Sequence, residues 1–180
     1  MNEDLRQLAD LIRQRNGIEV EITRLIGRPA QIGHVGEFIA AQIFDIHLVE
    51  SASNKAIDGY FQSGTLAGKS VNIKWYGKQE SILDITPATL PDLYLVLTGP
   101  KSPAVSSRGG SRPWLIEFIY LFDANELVGR IKERGTKIGI ATSVPQVLWN
   151  EAEIFPTSAN TVLVLSEDHK VLLRFFSARN

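Results

Sequence analysis

No cysteine occurs in the 180 residues, which excludes a disulfide framework and any thiolate metal site. Long apolar runs are missing too, and none approaches the roughly 20 residues that span a bilayer. The opening stretch, MNEDLRQLADLIRQRNG, is charged and amphipathic and does not read as a signal peptide. These absences lead to the expectation of a cytoplasmic protein. Charge of one sign is also not in excess: 19 Lys and Arg against 20 Asp and Glu leave a formal net charge of −1 and a pI of about 6.3. Proteins that coat nucleic acid through counterion release are usually basic, so broad sequence-blind binding is disfavoured, although a local basic patch is not.

What is present is ordinary globular usage. A hydrophobic share of 44% and a charged share of 22% argue against disorder. The length suits one domain with a sizeable core, and no internal repeat, low-complexity tract or linker divides it.

Residues 3–15 set Leu5, Leu8 and Ile12 on one helical stripe with Leu11 beside it, and Asn16-Gly17 predicts a stop. A second short helix is predicted over 18–26, ending at Gly27. A third is predicted over 33–44, GHVGEFIAAQIF, where Val35, Ile39 and Ile43 recur every four residues.

The period then changes. IDGYF alternates Ile57 and Phe61 with Asp58 and Tyr60, and SVNIKWY alternates Val71, Ile73 and Trp75 with Asn72, Lys74 and Tyr76. Joined by the glycine-bearing SGTLAGK, they predict a β-hairpin. DLYLVLTG (92–99) is apolar on both faces, as a central strand is. A further strand is expected at 114–122, then a helix from an Asp123/Glu126 capping box to Arg134. A short strand at 137–141, a helix from about Ser143 and a terminal helix from Ser166 follow. Helices, a β-meander, then mixed elements predict an α/β fold: a mixed sheet flanked by helices, with extra N-terminal and C-terminal helices.

Alternation puts Asn72 and Lys74 on one face of their strand, opposite Val71, Ile73 and Trp75. A hairpin can set Asp58 across from that pair. The preceding helix offers Glu37, on a mostly small and apolar face shared with His34, Ala41 and Phe44.

A helix glutamate, an aspartate at a strand start and acid-x-Lys on the next strand resemble the PD-(D/E)XK (restriction-endonuclease-like) nuclease superfamily. Here the pattern reads Glu37, Ile57-Asp58 and Asn72-Ile73-Lys74. The run IGRPAQIGHVGEFIAAQIF, IDGYF and GKSVNIKWY, with PDLYLVLTGP and SSRGGSRPW after it, is similar to an uncharacterised bacterial family assigned to that superfamily. The resemblance implies one restriction-endonuclease-like domain over 1–180, with its core at about 30–122 and an α/β extension at about 123–180. It implies metal-dependent phosphodiester hydrolysis on DNA. Glu37, Asp58, Asn72 and the backbone carbonyl of Ile73 would hold Mg²⁺ (or Mn²⁺), and Lys74 would assist the attacking water. DNA is the implied partner. A homodimer fits the same class, though no dimer surface is legible in the sequence.

Two positions depart from the pattern. Ile57 stands where proline is usual, and Asn72 replaces the second acid. An amide ligates through its carbonyl oxygen but brings no charge. A catalytically inactive nuclease-fold module that binds nucleic acid or a protein therefore stays open as the alternative. A small-molecule or nucleotide-processing protein is a third reading.

Plainer roles stay open as well. Asp58-Gly59 suits a turn, Glu37 a solvated helix face, Lys74 a protected sheet edge, and His34 a cap. Trp75 and Trp114 suit the core. The 100–113 tract, PKSPAVSSRGGSRP, is either a solvated connection or a phosphate-contacting arm carrying Lys101, Arg108 and Arg112.

Overall fold

The computed structural model describes residues 2–50, 56–101 and 111–178. Its centre is a six-stranded mixed sheet ordered β1-β2-β3-β5-β6-β8. The strands are β1 (Ile46–Leu48), β2 (Gly59–Phe61), β3 (Ser70–Tyr76), β5 (Leu93–Thr98), β6 (Phe118–Asp123) and β8 (Glu153–Phe155). Only the β3–β5 pair is parallel, with Val71 opposite Leu93; the other four pairs are antiparallel. A separate two-stranded sheet joins β4 (Ile82–Leu83) to β7 (Thr142–Ser143).

Period-2 alternation splits the core in two. Val71, Ile73, Trp75, Leu95, Leu97, Ile119 and Leu121 face one side, against Ile39, Ala40 and Ile43 of α2 (Ile32–Phe44) and Leu173 of α5 (Glu167–Arg174). Tyr94, Val96, Tyr120 and Phe122 face the other, against Leu127 and Ile131 of α3 (Ala124–Glu133) and Leu148 and Trp149 of α4 (Gln146–Ala152). Every residue of β5 is buried, as its two-sided apolar pattern requires. Segment 123–178 thus supplies an edge strand and three of the four helices that cover the sheet.

Several elements differ from the sequence-based expectation. The predicted break at Asn16-Gly17 does not occur: α1 (Glu3–Ile26) is one 24-residue helix, capped by Asn2 and ended by Gly27 at φ 70°. A helical glycine costs only about 1 kcal/mol, and Arg15–Glu19, 2.7 Å apart, bridges the same turn. None of its residues is buried. The strand expected from Trp114 begins only at Phe118, because Ile116 donates instead to the Phe176 carbonyl at 2.8 Å. The strand expected at 137–141 is a loop. Thr142 Oγ1 folds back on Gly139, accepting its N–H at 2.8 Å and donating to its carbonyl at 2.7 Å, and pairing starts at Thr142. The helix after it starts at Gln146 rather than Ser143.

Candidate functional site where two strands part

β2 and β3 pair as the hairpin expected, with Gly59 opposite Val71. Immediately before Gly59 they part. The Asp58 N–H still reaches the Val71 carbonyl at 2.9 Å, but no strand carbonyl remains for Ile73. The Asp58 carboxylate fills that role, accepting the Ile73 N–H at 2.6 Å. Asp58 therefore sits at a sheet divergence, not in a turn. Gly59 has its own reason: a Cβ there would lie 2.5 Å from the His47 carbonyl of β1. Because the N–H and C=O of one strand residue point to the same edge, the Ile73 carbonyl faces the same opening.

Glu37 reaches this region on α2. Gly36 lets the helix lie close to the sheet, since a Cβ would stand 3.0 Å from Trp75 Cβ. The Glu37 side chain is only 15% exposed and is ion-paired with Arg28. Arg28 was not singled out from the sequence. It lies in the non-helical link between α1 and α2, where no periodicity reports which way a side chain turns.

Asp58 gathers these groups electrostatically. Burial pushes its carboxyl above the usual value of 3.8; the Ile73 N–H opposes this, Glu37 reinforces it, and Lys74 and Arg28 oppose it. Two carboxylates and two cations thus share one neighbourhood. Asn72 lies between Val71 and Ile73, the two β3 residues that hydrogen-bond to Asp58. It is 2% exposed, and its Oδ1 has no hydrogen-bond partner. Stranding a buried acceptor costs about 1–3 kcal/mol, so this oxygen is a ready ligand for a cation or water. Lys74, on the same strand face, is partly exposed.

Around Asp58 the oxygen donors are thus the Glu37 carboxylate and the Ile73 carbonyl, with the unpartnered Asn72 amide oxygen on the neighbouring residue of β3. Hard divalent cations accept all three oxygen types. Among the described residues no three His, Cys, Asp or Glu side chains group as an ion site, so any ion here would depend on the amide and the carbonyl.

The remaining candidates have other partners. Lys101 Nζ lies 3.0 Å from the buried Glu153 carboxylate and 4.2 Å from the Phe118 ring centroid. Arg112 pairs with Glu80 at 3.3 Å. Arg108 lies outside the described residues. His34 Nδ1 is 3.0 Å from the Pro29 carbonyl beside the start of α2, a packing role. Trp75 is buried and donates to the Leu115 carbonyl at 3.1 Å, with Trp114 tilted against it. A cleft between β6, α3 and α4 contains Glu126, Arg130 and Glu151, but Arg130 already pairs with both acids. Among the described residues no helix is long and apolar enough to cross a membrane. No known protein family matches the chain, and no curated protein matches it.

Proposed function

We propose that this protein is a restriction-endonuclease-like, metal-dependent phosphodiesterase acting on DNA. Glu37 and Asp58 would hold Mg²⁺ or Mn²⁺ with the Asn72 amide oxygen and the Ile73 carbonyl. The ion would supply Lewis-acid polarisation of the scissile phosphate. Lys74 would orient the attacking water and offset charge on the phosphate oxygens.

The observation that carries this reading is the state of Asp58. Its carboxyl is half-buried near a second carboxylate and receives one backbone hydrogen bond. A bound cation would relieve that unfavourable state, and the unpartnered Asn72 oxygen would be available as a neutral ligand. The test is cleavage of plasmid DNA with Mg²⁺ or Mn²⁺, paired with calorimetric titration of either ion into the full chain. No ion binding and no cleavage in wild type would remove the proposal.

A second reading is favoured by a different observation. Glu37 is neutralised by Arg28, and Asn72 brings no charge, which suits a nuclease-fold module that binds DNA or a protein without cutting. Asn72→Asp separates the two. In an enzyme weakened by the amide, the added charge tightens Mg²⁺ binding and raises cleavage about tenfold or more. In a binding module it repels phosphate and weakens DNA affinity in chelator. If neither quantity changes, residue 72 lies outside any functional site.

A further inference from the structure

We infer that α1 is an antiparallel dimerisation helix whose partner is the α1 of a second copy of this chain. The first observation is that 24 residues form a helix without burying one of them. Most helical stability in proteins comes from packing an apolar face, and among the described residues little packs against the apolar face of this helix. Leu5, Leu8 and Ile12 are 63%, 51% and 48% exposed. Ile22 and Ile26, nearer the body, are half-buried.

The second observation is the spacing. Positions 5, 8, 12, 15, 19, 22 and 26 alternate steps of three and four along α1, the seam of a coiled coil. Five are Leu or Ile, and the central two are Arg15 and Glu19. Gly17 lies midway between those two and points away from the seam, on the face that mixes Asp10 and Glu21 with Arg13 and Arg24.

Charge then selects the partner and its direction. With a two-fold axis at the level of residue 17, an antiparallel copy sets Leu8 opposite Ile26, Ile12 opposite Ile22, and Arg15 opposite Glu19, each contact occurring twice. A parallel copy would set Arg15 against Arg15 and Glu19 against Glu19. Arg15 and Glu19 already pair within one helix at 2.7 Å, so two copies would close a four-membered ring of alternating charge at the centre of an apolar seam. The outward face mixes both charge signs, unlike the Lys/Arg-rich face of a helix that lies on anionic membranes. Association through α1 is independent of the chemistry proposed at Asp58.

Sedimentation equilibrium of the full chain from about 1 to 100 μM tests this, bracketing ordinary dimer affinities. Wild type is expected at twice 20.0 kDa. Arg15→Glu and Glu19→Arg should each weaken self-association at least about tenfold, and an equimolar mixture should recover wild-type affinity within about threefold. Circular dichroism checks that each variant keeps its helix. Direction is read by oxidative cross-linking, which the absence of native cysteine makes clean. Leu8→Cys mixed with Ile26→Cys should cross-link. Leu8→Cys alone should not, because antiparallel helices separate its two copies by about 27 Å. A wild-type monomer at every concentration, single variants that associate like wild type, or cross-linking of Leu8→Cys alone would each overturn the dimer as described. A monomer that sediments with vesicles of phosphatidylcholine and phosphatidylserine would overturn it in favour of a lipid surface.

Discussion

Asp58 and Asp92 each accept a backbone N–H from β3, in opposite surroundings. Asp92 takes the Ser70 N–H at 2.8 Å, the Ser70 hydroxyl at 2.7 Å and Lys69 Nζ at 3.3 Å. Those donors, the Ser70 hydroxyl foremost, hold its carboxyl below the usual range. Asp58 receives the Ile73 N–H, is half-buried, and lies near Glu37, and partial burial foremost pushes its carboxyl up. Asp92 is a finished structural clamp between β3 and the start of β5. Asp58 makes a similar grip but leaves its negative charge under-compensated. Anchoring a strand therefore accounts for all of Asp92 and only part of Asp58.

Cleavage should break the comparison most sharply. Asp58→Asn and Lys74→Ala should each lower metal-dependent DNA cleavage by about 10²–10⁴-fold, while Asp92→Asn stays within about twofold of wild type. Lys74→Ala should shift stability by no more than about 0.5 kcal/mol. A plasmid-nicking assay beside a thermal melt reads both quantities. Equal losses in the two aspartate variants would mean that both act only through the fold.

Metal-linked stability is the next largest effect. Saturating Mn²⁺, at about 100 times its Kd, should stabilise wild type and Asp92→Asn by about 2.7 kcal/mol. Asp58→Asn should show no such gain. An undiminished Mn²⁺ shift in Asp58→Asn would place the ion elsewhere.

The pH profiles should run in opposite directions. A depressed carboxyl contributes stability above its unfolded value that is lost as pH falls through the folded value. Asp92→Asn should therefore be less stable than wild type at neutral pH, by about 1 kcal/mol for the weakened hydrogen bonds, and the deficit should close in acid. A raised carboxyl does the reverse: its stabilising contribution is present below the unfolded value and lost as pH rises through the folded one. Asp58→Asn, whose amide oxygen still accepts the Ile73 N–H, should be more stable than wild type at neutral pH. Its advantage should shrink as pH falls towards 3.8, the usual aspartate value. Urea melts in chelator across that range decide the matter, and parallel profiles for the two variants would contradict the contrast.

Much of the scaffold was legible because its signals are periodic and local. SVNIKWY alternates over seven residues, so Asn72 and Lys74 could be assigned a face and the hairpin a partner. Asp123, which accepts the Glu126 N–H at 2.9 Å, and Ser166, which forms a capping box with His169, marked their helix starts. β1 and β8 were missed because three residues carry no usable period. Gly17 was misread because a local stop signal is weak against hydrogen bonding that continues on both sides.

The sequence by itself determined which residues could meet at a polar opening, since alternation and helical spacing follow from backbone geometry alone. It also determined the apolar stripe of Leu5, Leu8 and Ile12. Only the tertiary structure decided that Asp58 replaces a missing strand carbonyl, that Arg28 reaches Glu37, and that Asn72 is buried with an unpartnered oxygen. It alone decided that α1 runs unbroken past Gly17 and that Leu5, Leu8 and Ile12 stay exposed. The first three depend on distances between segments remote in the chain and on how far water is excluded, and burial acts on a charge only once the surrounding elements have closed around it.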